Sequence, residues 1–340
     1  MEKNKIKILV VDDSSVSREL MTHLLTLNPD FEVIDTAANG VEALEIIEKT
    51  PPDLVITDIV MPKMNGFELT KKIMELHPMP IIVVSGVYSR EEIQKSFEAI
   101  DAGALAILEK PRGFSDAQFT ETARFIMDTF NIMSQIQRSK TSRPYIQPKF
   151  QEELSFQHID VIGIGSSLGG PRSLRKVLGD IPPTIKTSIL IVQHIFPGFV
   201  QGFVDWLGSC TKLKVQVAKN GEKILPAHIY IIPDDVIIEV LPGGFLSVFQ
   251  DTTQTENKVR SIGRLFRSLG NVYGNRSMGV LLSGHNKETE KDLAYMKEKG
   301  AITIAESLVD IKGSGLKQEN QSATTIDDII RLLHQVLFNK

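Results

Sequence analysis

The sequence predicts an α/β protein made of two doubly wound parallel-sheet domains joined by a linker. Three observations carry that expectation. Short β-branched runs alternate with stretches of helical spacing in both halves of the chain. A polar segment with few apolar side chains separates the halves. In the first half, acidic residues stand immediately after the predicted strands. Strand–helix alternation at this pitch requires a parallel sheet covered on both faces, and ligands gather at the carboxyl ends of such strands.

In the first half, strands are predicted at Ile8–Val11, Leu54–Thr57, Ile81–Ser85 and Ala104–Leu108, with helices at Ser17–Leu27 and Gly40–Glu48. The segment Ser115–Ile136 has the spacing of a last amphipathic helix. The run Gln137-Arg138-Ser139-Lys140-Thr141-Ser142-Arg143-Pro144 follows, and residues 131–156 are assigned to a linker. Its basic residues read as a solvated tether, because little aromatic interleaving accompanies them. From Ile159 the alternation resumes, with strands at Val161–Gly165, Ser188–Val192, Ile229–Ile232, Ser277–Leu282 and Ala301–Ala305. A helix is predicted from Pro171 to Leu178, and a β-rich insert, Val236–Phe249, turns at Pro242-Gly243-Gly244.

Composition narrows the function classes. The chain has 340 residues, 42% hydrophobic and 24% charged, which suits two or three globular domains. With 38 Lys+Arg against 42 Asp+Glu the formal charge is −4, and the pI is about 6.0. Proteins built to hold nucleic acid usually carry a basic excess, so none is expected as a partner. One cysteine, Cys210, excludes an internal disulfide and a cysteine-based zinc cluster. No apolar stretch approaches the ~20 residues that span a bilayer. The run Ile8-Leu9-Val10-Val11 is too short for a signal-peptide core, so a cytoplasmic location without membrane insertion is expected.

The chemistry of the first half lies in Asp12, Asp13, Asp58, Ser85 and Lys110, each at or just past the end of a predicted strand. A parallel sheet brings these positions to one edge. Three carboxylates there repel unless a cation joins them, and oxygen ligands of this kind suit Mg²⁺. A magnesium ion beside a carboxylate nucleophile, with a lysine and a hydroxyl nearby, is what phosphoryl transfer needs.

The set Asp12-Asp13, Thr57-Asp58-Ile59-Val60-Met61-Pro62-Lys63-Met64-Asn65-Gly66, Ser85 and Lys110-Pro111 resembles the receiver domain of two-component response regulators. The resemblance implies a flavodoxin-like fold over residues 1–130 and phosphorylation of Asp58 by a histidine kinase. It further implies Mg²⁺ held by Asp13, Asp58 and the backbone carbonyl of Val60, with Asp12 assisting through water. Ser85 and Lys110 are then the groups that bind and report the phosphoryl oxygens. Where that family often has an aromatic switch residue, this chain has Ile107.

In the second half, Val161-Ile162-Gly163-Ile164-Gly165-Ser166-Ser167-Leu168-Gly169-Gly170-Pro171 reads as a strand, a glycine-rich turn and a helix start. A helix N-terminus offers unpaired N–H groups to negative charge. Gly163, Gly165 and Gly169 loosely match a dinucleotide fingerprint. However, the next strand closes with Gln193-His194 rather than the acid that fingerprint expects about 20 residues on. The other use of this geometry is a serine nucleophile at the bend, activated by a histidine from the neighbouring strand. Ser167 and His194 fit it, and Asp234, Asp235 and Glu288 are the acids available to orient the imidazole. Cys210, Trp206, Phe196, Phe199 and Phe203 are assigned to packing.

Gly165-Ser166-Ser167-Leu168-Gly169-Gly170 and Val192-Gln193-His194-Ile195-Phe196-Pro197-Gly198-Phe199 resemble the chemotaxis protein-glutamate methylesterase domain, and receiver, linker, esterase is that family's order. The resemblance implies a Rossmann-like catalytic domain over residues 157–340, with Ser167 as nucleophile, His194 as general base and Glu288 as orienting acid. Backbone N–H groups of Leu168 and His285 would form the oxyanion hole. Its implied partners are a chemotaxis histidine kinase and methylated chemoreceptors, whose glutamine side chains family members also deamidate. Two segments depart from the family. Its Thr-Gly-Met-Gly-x-Asp-Gly motif reads Ser283-Gly284-His285-Asn286-Lys287-Glu288-Thr289 here, and its Arg-Pro-Ser-Val-Asp segment reads Val259-Arg260-Ser261-Ile262-Gly263. Glutamate can orient a histidine, as Ser-His-Glu triads show. The alternative reading is a catalytically impaired, phospho-responsive adaptor that binds receptors or kinase without turnover.

Overall fold

The computed structural model describes residues 5–86, 89–110, 158–167, 169–233, 236–250, 257–282, 287–306 and 323–338. The chain divides into two compact units, Met1–Ser134 and Gln135–Lys340. The expected helix Ser115–Ile136 and the linker 131–156 lie outside the described residues.

The first unit runs β1 (Ile6–Val11), α1 (Ser15–Thr26), β2 (Phe31–Ala37), α2 (Gly40–Lys49), β3 (Leu54–Asp58), α3 (Gly66–Leu76), β4 (Ile81–Ser85), α4 (Arg90–Ala102) and β5 (Ala106–Glu109). Its sheet order is β2-β1-β3-β4-β5, parallel throughout. That order reverses direction between β1 and β3, where a doubly wound sheet opens its binding crevice. Every residue of β3 and β4 is buried, as befits central strands covered on both faces. β2 has no counterpart among the predicted strands. It is an edge strand in which Glu32, Asp35 and Thr36 interrupt the apolar run with exposed positions, so its periodicity is weak. Side-chain caps open α1 to α4: Ser14, Asn39, Asn65 and Ser89 each accept backbone N–H bonds, and Asn65 forms a capping box with Glu68.

The second unit contains β6 (Val161–Ser166), α5 (Gly170–Gly179), β7 (Ser188–Gln193), α6 (Val200–Cys210), β8 (Lys214–Val217) and β9 (His228–Pro233). It continues with β10 (Val236–Leu241), β11 (Phe245–Gln250), α7 (Asn257–Tyr273), β12 (Ser277–Leu282), α8 (Lys287–Glu298), β13 (Ile302–Glu306), β14 (Ala323–Thr324) and α9 (Ile326–Phe338). Seven strands form one sheet in the order β14-β13-β12-β6-β7-β9-β8, all parallel. The expected insert is the antiparallel hairpin β10–β11. Leu265, Phe266 and Leu269 of α7 are fully buried in one core with Ile238 and Leu246 of that hairpin.

β6, β7 and β12 are buried along their whole length, so the functional candidates follow strands covered on both faces. Phe196, Phe199, Phe203 and Trp206 are core residues. Cys210 is partly buried, its Sγ donating to the Trp206 carbonyl at 3.2 Å. No helix among the described residues is long and apolar enough to cross a membrane.

Candidate active site and phosphoacceptor pocket

In the first unit, Asp12 and Asp13 follow β1 and Asp58 closes the adjacent β3. One carboxylate oxygen from each lies within 4.8 Å of the others. Asp12 and Asp58 are buried, whereas Asp13 is exposed. Lys110, just past β5, reaches back so that its Nζ sits 2.7 Å from Asp12 Oδ2 and 2.9 Å from Asp58 Oδ2. Three carboxylates against one ammonium leave two negative charges when all are ionised. That excess, presented by oxygen donors alone, fits a magnesium ion. Burial pushes the Asp58 carboxyl up to about 6; Lys110 opposes the rise and Asp12 adds to it. Burial also works against the Lys110 ammonium, but Asp58 and Asp12 outweigh it and leave its pKa above the ordinary lysine value.

The loop after β3 is held close to the phosphoacceptor candidate. Asp58 Oδ1 accepts from the Ile59 N–H at 2.7 Å, and the Gly66 N–H returns to the Ile59 carbonyl at 3.0 Å. A Cβ on Gly66 would lie 2.0 Å from the Asp58 carbonyl oxygen, so only glycine permits this approach. Val60 follows on the exposed side of the loop. Ser85 closes β4 and is fully buried, but its hydroxyl donates to Glu92 Oε1 at 2.7 Å. Sequence reading missed Glu92. The available signal was its place three residues after the helix-capping Ser89, seven after Ser85.

In the second unit, β6 lies between β7 and β12. Ser167 follows β6, His194 follows β7, and Glu288 stands in the first turn of α8, which succeeds β12. The three candidates therefore leave the carboxyl ends of three adjacent parallel strands. Ser167 and His194 are half-buried and Glu288 is exposed. The His194 N–H donates to the Ser166 carbonyl at 3.2 Å, carrying the strand pairing one step past β6 and β7. The Ser167 carbonyl accepts from the Gly170 N–H at 2.9 Å, which closes the turn into α5. Leu168, Asp234, Asp235 and His285 lie outside the described residues.

Two of the glycines in the first motif have a packing role. A Cβ on Gly163 would meet Leu269 Cδ1 at 2.5 Å, and one on Gly165 would meet Ile262 Cγ2 at 2.5 Å. Their missing side chains let α7 lie directly on β6, and this accounts for both without a dinucleotide.

A family model described as CheB methylesterase matches residues 162–333, and one described as response regulator receiver domain matches residues 8–121. The protein-glutamate methylesterase/protein-glutamine glutaminase 1 of Syntrophus aciditrophicus (strain SB) is 38% identical over 311 residues, covering 89% of this chain and 88% of the relative. The chain belongs to the CheB methylesterase family. Another family member, from Nitrosospira multiformis, is 37% identical over 88% of this chain and 86% of its own length. Among solved structures, the Thermotoga maritima CheB methylesterase catalytic domain is 27% identical, covering 52% of this chain and 89% of that one, with a TM-score of 0.40. This family member closes its buried β7 with a polar residue, Gln193. Sequence reading quoted Gln193 within a motif and placed it in no site, although a polar residue at the end of a buried strand was the signal available.

Proposed function

We propose that this chain is a phosphorylation-controlled hydrolase that removes methyl esters from glutamate side chains of chemoreceptors and deamidates their glutamines. Residues 1–130 serve as receiver, 131–156 as linker and 157–340 as catalytic domain of a cytoplasmic two-component system. The observation that carries this reading is the adjacency of β12, β6 and β7, with the His194 N–H bonded to the Ser166 carbonyl beside Ser167. His194 takes the proton of Ser167, and Oγ attacks the ester carbonyl. The Leu168 and His285 N–H groups hold the oxyanion while Glu288 orients the imidazole. The C–OCH₃ bond breaks and methanol leaves with the proton. Water, deprotonated by His194, then releases the glutamate carboxylate and restores the serine.

Control lies in the receiver. An Asp58 oxygen attacks the phosphohistidine phosphorus of a chemotaxis kinase, the N–P bond breaks, and an acyl phosphate forms. Asp12, Asp13, Asp58 and the Val60 carbonyl would hold Mg²⁺, which supplies charge neutralisation at the phosphoryl oxygens. Lys110 neutralises a further oxygen, and Ser85 turns its hydroxyl toward the phosphoryl group.

Methanol release from methylated receptor membranes tests the reading. It is expected to rise when a small phosphodonor is added, to lose that rise in Asp58→Asn, and to vanish in Ser167→Ala. Equal background release by the intact chain and Ser167→Ala overturns it. The exposure of Glu288 favours a second reading, a non-hydrolytic adaptor, which predicts phosphodonor-dependent receptor binding unaffected by Ser167→Ala and no methanol.

A further inference from the structure

Gln193 closes β7 opposite Ser166 and is 1% exposed. Its Nε2 donates to the Ser167 carbonyl at 3.1 Å and to the His194 carbonyl at 2.9 Å. A carboxamide has two N–H donors, and both are engaged here. Rotating the amide by half a turn would set Oε1 against two carbonyl oxygens, so the chemistry of the partners dictates its orientation. The strand pairing ends where the His194 N–H meets the Ser166 carbonyl. Beyond that bond, the segments bearing the serine and the histidine are joined by the Gln193 side chain.

We propose that Gln193 is a positioning residue for the hydrolysis, a clamp that fixes the backbone of Ser167 relative to that of His194 and so sets the distance from hydroxyl to imidazole. The inference rests on the assignment of Ser167 and His194 given above. The surroundings of the amide reinforce it. The Ser167 carbonyl is held from two sides, by Gln193 and by the Gly170 N–H. A Cβ on Gly170 would fall 2.8 Å from Gln193 Oε1, so glycine at the helix start leaves the amide its place. A strand that needed only to be filled would close with an apolar residue. A buried amide that bridges the two reactive segments instead costs desolvation: its two donor bonds offset part of that cost, while Oε1 is buried without a hydrogen-bond partner among the described residues.

A proton transfer between Ser167 and His194 is sensitive to their separation, and a misplacement of about 1 Å can cost about 10²-fold in rate. Substrate affinity does not depend on that separation. The test uses the full-length protein, activated by a phosphodonor, with wild type, Gln193→Met and Gln193→Glu compared. Both variants keep the chain length and lose the paired donors. Activity is counted per folded molecule, from circular dichroism at the assay temperature. The expected result is a kcat lowered by about 10²-fold with KM within about twofold of wild type. A parallel loss is expected in the rate at which a fluorophosphonate probe labels Ser167, a step in which an O–P bond forms, the P–F bond breaks, and fluoride and a proton leave. A kcat within about threefold of wild type in both variants, or a loss expressed in KM alone, overturns the proposal. Failure of the underlying reading looks different: the probe does not label wild-type Ser167, and Ser167→Ala hydrolyses like wild type.

Discussion

The hydroxyl of Ser85 donates to Oε1 of Glu92 at 2.7 Å, and both side chains are buried. The hydroxyl proposed to bind the phosphoryl group is thus tied to the first turn of α4 while Asp58 is unmodified. A phosphoryl group on Asp58 competes with a buried carboxylate for one proton donor, and a hydrogen bond to a charged group is worth roughly 1.5–3 kcal/mol. Glu92→Ala releases Ser85 and is expected to speed acetyl-phosphate labelling of Asp58 several-fold. Mass spectrometry of the phosphorylated chain over time measures this, and a rate equal to wild type counts against the tether.

Asp58 makes the pocket pH-sensitive in a defined direction. Its carboxyl is raised to about 6, with burial the main cause, so between about pH 4 and 6 the folded chain keeps a proton that an ordinary aspartate has lost. A divalent cation must displace that proton. At pH 5 about one chain in ten is ionised at Asp58, so apparent Mg²⁺ affinity is expected to be about tenfold weaker than at pH 7.5. Calorimetric titration with MgCl₂ at the two pH values decides this; equal affinities would place the metal elsewhere.

Gly66 admits no side chain without moving the backbone, because a Cβ would lie 2.0 Å from the Asp58 carbonyl. Gly66→Ala is expected to destabilise the receiver by about 1–3 kcal/mol, the range for overpacking, and to slow Asp58 phosphorylation. Urea unfolding and acetyl-phosphate labelling report the two effects separately.

Ser166 Oγ is buried without a hydrogen-bond partner among the described residues, and a Cβ on Gly170 would lie 1.9 Å from it. Ser166→Ala removes an unpaired polar atom and is expected to be neutral or stabilising by about 1 kcal/mol. Gly170→Ala is expected to destabilise, and the double variant to recover part of that loss because the two sites share one clash. Additive effects in thermal unfolding would refute the shared contact.

Glu288→Gln removes the carboxylate charge and keeps the shape. If Glu288 steadies the imidazole, kcat falls by up to about 10⁴, the cost of the corresponding loss in the serine-protease triad. Methanol release measures it, and an unchanged kcat moves the orienting role to another acid.

Local chemistry made much of this protein legible from its sequence. Apolar runs such as Ile81–Ser85 and Ser277–Leu282 coincide with β4 and β12 to the residue, because central parallel strands are buried on both faces and show no polar interruption. Asp12, Asp13, Asp58 and Lys110 were legible as one pocket because a parallel sheet sends all its strand ends to one edge. Contacts between elements distant in sequence were left to the tertiary structure. It decided that the Ser85 hydroxyl faces Glu92, that Gly163 and Gly165 serve the packing of α7, and that the Gln193 amide bridges the Ser167 and His194 carbonyls. A residue's type and spacing declare which element it joins, but a hydrogen bond or a close approach depends on where a separately folded neighbour places its atoms.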